Sequence, residues 1–229
     1  MNKILAIDQQ HVKRLHSYTK KEAASALIVW ILWLIILAMM GILYRNNLRY
    51  FGDGIYFAFA IALFVYVLLI GRKPGSLGLT FRKLKESCIL GAVLALIILI
   101  IQIVIGLVEG RGLTKLSTLA YNFFYYFIQI ALVEEIIFRG FIQTRLFGFK
   151  KNGILTILLG AVLFMSIHLP FQIIYSGVPF FTYLANNYIT LLFTMLWHVV
   201  FYYLYARFDN LAAPVIFHTF MDWSNYLFR

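Results

Sequence analysis

Long apolar stretches, each close to the length of a membrane-crossing helix, recur along the chain. A transmembrane α-helix needs roughly 20 mostly apolar residues. Seven stretches approach that length, and Gly, Pro, Asn or charged residues separate them. They are residues 25–44, 55–70, 88–108, 119–133, 154–174, 189–205 and 211–228. This pattern predicts an all-α, polytopic membrane helix bundle with about seven transmembrane helices.

The composition favours the same class. Of the 229 residues, 62% are hydrophobic and 13% are charged, whereas soluble domains contain about 45–50% apolar and about 25% charged residues. No connection is long enough for a soluble domain, so residues 1–229 are expected to form a single transmembrane domain. The connection 71–87 has a basic second half that predicts an interfacial helix. The uncharged connection around 175–187 is predicted to be an outer loop.

The net charge of +11 could indicate nucleic-acid binding, but the positions of the charges argue against it. Of the 20 Lys and Arg residues, 15 fall in alternate segments, beginning with the N-terminal one. Lys and Arg concentrate on the cytoplasmic side of membrane proteins, so the N-terminus is predicted to be cytoplasmic and the C-terminus outside. The basic excess then faces anionic lipids of the bilayer, and no nucleic-acid partner is expected. The short loops and small size favour a bacterial plasma membrane.

Two carboxylates and an arginine follow the fourth apolar stretch, in VEEIIFRGF. Ionisable groups at membrane depth cost about 2.5–3.5 kcal/mol each on insertion scales and are therefore functional hypotheses by default. Glu135 and Arg139 are spaced i, i+4, share a helix face and can pair, whereas Glu134 points away from Arg139. Glu134 is thus predicted to be the less compensated carboxylate, suited to accept a proton. The alternative is an ion pair at a helix end with a spare glutamate.

Histidines mark two later helices. His168 follows Phe164 by one turn in LFMSIHLPF, and NLAAPVIFHTFMDW places His218 and Asp222 at i, i+4. A carboxylate one turn from a histidine can orient its ring, and both residues could also ligate a metal. Packing is the alternative for each: a hydrogen-bonded histidine, or a polar pair between helices. His198 has no acidic residue at helical spacing and is interpreted as a packing histidine.

The three motifs fall at similar depths. If the fourth helix continues to a turn at 148–152, Glu134 lies roughly 21 Å and His168 roughly 24 Å from that turn. His218 lies roughly 12 Å beyond the turn near 209–210. All three motifs could therefore converge in one pocket. Helix packing alone can explain any one of the motifs, but it explains their convergence less well.

These residues resemble the three motifs of the CPBP family, which comprises CAAX-processing endopeptidases and bacteriocin-processing or bacteriocin-immunity (Abi) membrane proteins. The family motifs EExxxR, FxxxH and HxxxN or HxxxD match the residues above in order, placement and spacing, and Gly140 follows the first motif as is usual. The resemblance covers about 118–229, the motif-bearing core; the earlier part is similar only in hydropathy. Asp222 stands where eukaryotic CAAX endopeptidases usually carry Asn, so that position could donate or accept a hydrogen bond.

The resemblance implies an intramembrane endopeptidase that hydrolyses a membrane-associated peptide or protein. In that family mechanism Glu134 would activate a water shared with His168, and His218 would stabilise the oxyanion or protonate the leaving amine. The implied site residues are Glu134, Glu135, Arg139, His168, His218 and Asp222.

The sequence decides neither whether the site holds a metal nor which role the protein has in the cell. His168, His218 and Glu134 could hold Zn²⁺ with an open position, but a metal-free water activated by glutamate also fits and is favoured. A non-catalytic bacteriocin self-immunity protein is the alternative function. A small transporter is a further one, because transporters also bury carboxylates and histidines. The sequence predicts no oligomeric state.

Overall fold

A computed structural model describes residues 6–46, 52–149 and 152–229. This part of the chain forms eight helices and no β-strand, only an isolated bridge between Leu113 and Phe228. The helices are α1 Gln9–His16, α2 Lys20–Arg45, α3 Gly52–Leu69, α4 Leu84–Val108, α5 Leu116–Phe149, α6 Gly153–Ser176, α7 Phe180–Phe208 and α8 Ala212–Trp223. The predicted all-α polytopic bundle is confirmed.

Five of the described helices, α2, α4, α5, α6 and α7, are long and apolar enough to cross a membrane. The apolar part of α3 is shorter, and α8 has only 12 residues. The last segment nevertheless follows α4 over most of its length. Ala213 N donates to Ser87 Oγ near the start of α4, and Gln102 donates to Asn225 near its end. The turn Ser224–Tyr226 therefore continues the path that α8 begins.

Helix α1 packs against one end of the bundle through two buried carboxylates. Asp8 caps the start of α1 and pairs with Arg82 in the connection between α3 and α4. Asp209, in the turn between α7 and α8, pairs with His11 and Arg14 of α1. These contacts tie the N-terminal helix to two distant connections.

The protonation states of Asp8 and His11 at this end follow from their burial and from the neighbouring charged groups. Burial acts to raise the pKa of Asp8, but hydrogen bonds from Lys83 and Arg82 outweigh it and lower that pKa to about 2. The pKa of His11 is lowered because burial disfavours the imidazolium more than Asp209 favours it. At neutral pH, Asp8 is therefore ionised and His11 is neutral.

Two connections differ from their predictions. The basic second half of 71–87 was predicted to be an interfacial helix, but it is irregular up to Lys83, and its last residues, from Leu84, begin α4. The short 3₁₀ turn Pro74–Leu77 lies in the first half. Pairing of Arg82 and Lys83 with Asp8 holds the irregular segment against α1. The predicted outer loop 175–187 is reduced to 177–179. Its Asn187 lies inside α7 and donates its amide to the carbonyl of Tyr183 one turn earlier.

Candidate active site

The first motif lies on a loosely wound part of α5. Residues Glu135–Gln143 form a π-helix, in which each N–H binds the carbonyl five residues back; such turns are rare and frequently occur at functional sites. Glu135 and Arg139 are fully buried, and Glu134 is 7% exposed. Three ionisable groups are thus enclosed in the middle of an apolar helix.

Glu135 is held from two sides. Its Oε1 lies 3.0 Å from Nη1 of Arg139, so the predicted i, i+4 ion pair is confirmed. The same oxygen lies 2.9 Å from Nδ1 of His218. This second contact joins α5 to α8, and the sequence did not predict it. Glu135 therefore acts as an anchor between the helices that carry the first and third motifs.

Aromatic rings surround the guanidinium of Arg139. Its Cζ lies 4.1 Å from the ring centroid of Phe164 and 4.9 Å from that of Phe201. Phe164 also meets the ring of His168 edge-on, with the centroids 5.2 Å apart. The phenylalanine of the second motif thus links the arginine of the first motif to the histidine one turn further along α6.

Each ring nitrogen of His218 faces a carboxylate. Nδ1 faces Glu135, and Nε2 lies 3.3 Å from Oδ2 of Asp222, which is the predicted i, i+4 pair. Both nitrogens can donate to these carboxylates only when both carry a proton. The side chain of Asp222 is 29% exposed, whereas that of Glu135 is 0% exposed. Asp222 is therefore the partner that an incoming group can displace.

Glu134 and His168 form fewer hydrogen bonds and ion pairs than the other members of the cluster. In the described part of the chain, Glu134 makes no hydrogen bond or ion pair, but it lies within electrostatic range of His218, Asp222 and Arg139. Nε2 of His168 is buried and has no hydrogen-bond partner there. His168 also interacts electrostatically with Asp222 and His218. The structure thus brings side chains from all three motifs into one cluster and leaves two of them unpaired.

A second polar group lies behind Phe164. Nε2 of the fully buried His198 lies 2.9 Å from Oε1 of Gln143, whose amide donates to the carbonyl of Thr156. The ring of His198 is 5.4 Å from that of Phe164. His198 is therefore a buried packing histidine, as interpreted from the sequence. Gln143 was not predicted from the sequence, although a glutamine within an apolar helix was a usable signal.

The residues predicted as metal ligands do not fit a zinc site in this arrangement. Across the described ranges, no group of three or more His, Cys, Asp or Glu side chains could hold a metal ion. Of the candidates Glu134, His168 and His218, the last has a carboxylate at each nitrogen, which leaves no lone pair for a metal.

These features define a class: a multi-pass α-helical membrane protein with glutamate, arginine and histidine from three helices enclosed in one cluster. Residues 116–224 match the family model of type II CAAX prenyl endopeptidase Rce1-like proteins. This match, which covers just under half of the chain, supports a CPBP-family intramembrane protease. The match runs from the start of α5 into the turn after α8 and contains all three motifs. No curated protein and no solved structure matches the chain significantly.

The similarity to this family supports a peptidase embedded in the membrane, with a peptide or protein as its substrate. The matched part holds the whole cluster, whereas α1–α4 lie before it.

Proposed function

We propose that the chain is an intramembrane endopeptidase in which Glu134 activates a water to hydrolyse a membrane-associated peptide or protein. One observation carries the proposal: Arg139 and His218 engage Glu135, while Glu134 has no hydrogen-bond or ion-pair partner in the described residues. A carboxylate that is enclosed and not neutralised by an arginine can take a proton from a bound water. No contact in the described ranges favours the immunity or transporter alternatives.

The remaining groups have matching roles in this mechanism. The water is held between Glu134 and Nε2 of His168, and its oxygen attacks the substrate carbonyl carbon as its proton passes to Glu134. The substrate carbonyl oxygen displaces Asp222 from Nε2 of His218, which then donates to the oxyanion. Glu135 holds the other nitrogen of His218 during this exchange. When the C–N bond breaks, Glu134 returns its proton to the leaving amine.

The substitution Glu134→Gln tests the proposal, since it keeps the shape of the side chain and removes the base. We expect kcat/KM to fall by at least about 100-fold, the lower range for loss of a general base. The assay measures cleavage of quenched fluorescent peptides, with and without a lipid anchor, by protein in vesicles. Glu109→Gln is the matched control, because Glu109 is exposed and pairs with Arg111 outside the cluster. Undiminished cleavage by Glu134→Gln contradicts the role of Glu134.

We also propose that hydrolysis is independent of a metal, since both nitrogens of His218 face carboxylates. Prolonged treatment with a zinc chelator is expected to leave the cleavage rate unchanged. Metal analysis of the purified protein gives a second readout that does not depend on activity. A rate that is lost with the chelator and restored by added zinc would show that the side chains rearrange around a metal.

A further inference from the structure

A basic cavity lies at the end of the bundle where α1 packs. It has a volume of about 470 Å³ and is enclosed by α1, by the connection between α3 and α4, and by the turn between α7 and α8. One carboxylate, Asp209, is among its lining residues. The five cationic side chains that line it are Lys13, Arg14, Arg72, Lys73 and Arg82. No part of the proposed catalytic cluster contributes to this cavity.

The positive charge of the cavity is not fully compensated by the protein. The carboxylate of Asp209 is already engaged by Arg14 and His11. Lys13 and Lys73 are exposed and have no ion-pair partner in the described part of the chain. Two ammonium groups at the rim of a concave basic surface attract an anion.

The position of the cavity points to the membrane surface as the source of that anion. Helix α4 begins beside it, and α3 and α7 end beside it. Glu22, in the first turn of α2, pairs with Arg72 of the cavity lining. In the adjoining segment, the side chain of Phe81 is 91% exposed and precedes Arg82 and Lys83. An exposed aromatic ring next to cations is typical of a segment placed among lipid headgroups.

An apolar cavity of about 510 Å³ adjoins the basic one, and Thr80 lines both. Its walls include Leu84 from α4, Phe127 from α5 and Val215 from α8. A free anion would occupy only the basic cavity. A molecule with a phosphate and an acyl chain would fill both, with each part in a compartment of matching polarity.

We propose that the basic cavity binds the phosphate of an anionic phospholipid whose acyl chain lies in the adjoining apolar cavity. Lys13 and Lys73 supply the uncompensated charge, and α1 forms one wall of the site. The lipid would thereby hold α1 against the connection between α3 and α4. This site does not depend on the proposed peptidase activity, and its test does not use that activity.

Native mass spectrometry of the purified full-length protein in detergent tests the proposal with phosphatidylglycerol and phosphatidylcholine as probes. The wild type is expected to retain phosphatidylglycerol in preference to phosphatidylcholine. The double variant Lys13→Ala/Lys73→Ala should bind phosphatidylglycerol roughly 30-fold more weakly, because each cation near an anionic surface contributes about a five-fold gain. Lys20→Ala/Lys85→Ala is the control, since it removes the same charge from exposed positions outside the cavity.

A third variant tests the apolar half of the site. Leu84→Trp narrows the adjoining cavity and should weaken phosphatidylglycerol binding without changing the binding of inorganic phosphate. Inorganic phosphate that binds while phosphatidylglycerol does not would identify a free anion as the ligand and overturn the lipid proposal. Equal affinity of wild type and Lys13→Ala/Lys73→Ala, equal retention of both lipids, or an equal loss in the control would also overturn it. Circular dichroism of each variant verifies that the helices are retained.

Discussion

The buried guanidinium of Arg139 is balanced by one carboxylate and two aromatic rings. Glu135 supplies the negative charge at 3.0 Å, and Phe164 and Phe201 present ring faces to the flat cation. An arginine suits such a site better than a lysine, because guanidinium is planar, weakly hydrated and able to stack on rings. The arginine of the first motif thus couples charge balance to the packing of the second motif.

Substitutions of Arg139 should separate these two contributions. Arg139→Lys keeps the charge opposite Glu135 but loses the stacking, and is expected to destabilise the protein by about 1–2 kcal/mol. Arg139→Leu leaves Glu135 without its arginine in a buried position and is expected to cost about 3–5 kcal/mol. Thermal unfolding in one detergent, followed by circular dichroism, measures both. Arg111→Lys is the control and should leave the stability unchanged, because Arg111 forms an exposed pair with Glu109. If Arg139→Leu were as stable as the wild type, this account would be refuted.

The side-chain pairs within single helices could be predicted from the sequence. Helix geometry alone places Glu135 next to Arg139, and His218 next to Asp222, because residues four apart share a face. The bond from Glu135 to His218 could not be predicted in this way. It joins residues 83 positions apart, so it depends on how closely α5 and α8 pack, which no local pattern encodes.

The connection between α3 and α4 crosses α5 closely at the first motif. A Cβ atom on Gly140 would lie 2.5 Å from the carbonyl oxygen of Leu77, which is too close for any side chain. That carbonyl belongs to the 3₁₀ turn Pro74–Leu77. The glycine after Arg139 therefore lets the backbone of this connection contact directly the helix that carries the first motif.

Gly140→Ala is expected to push this turn away from α5 and to destabilise the protein by about 1–3 kcal/mol, as overpacking usually does. Gly54→Ala provides the matched control, because no atom lies within 4 Å of the added Cβ in α3. Alanine forms helix better than glycine, so this control should be neutral or more stable by up to about 1 kcal/mol. The apparent Tm in detergent measures both variants. Equal Tm values for the two would mean that the turn moves freely.

The connections of the described chain alternate between the two ends of the bundle. At the basic end, the carbonyl of Thr19 at the start of α2 packs against Gly148 at the end of α5. At the opposite end, Arg45 of α2 donates to a carbonyl of α6, and Thr114 N donates to the carbonyl of Leu227 near the chain end. Hydropathy could predict this alternation. Every crossing segment must satisfy its backbone hydrogen bonds within itself in lipid and is therefore an apolar helix, and successive crossing helices place their connections at alternate ends. The π-helical winding of α5 leaves no comparable trace in the apolar pattern.

The basic end of the molecule is expected to face the cytoplasm, since Lys and Arg near helix ends are retained on that side. In a Cys88→Ser background, one cysteine at a time can be placed at two exposed positions, Lys73→Cys at the basic end and Lys115→Cys at the other. A membrane-impermeant maleimide should label Lys115→Cys in intact cells but Lys73→Cys only after lysis. The Cys88→Ser parent, which has no cysteine, gives the background. The opposite labelling pattern would show that the protein has the inverted orientation, with the basic cavity in the outer leaflet. Labelling of both positions in intact cells would contradict the alternation of the connections.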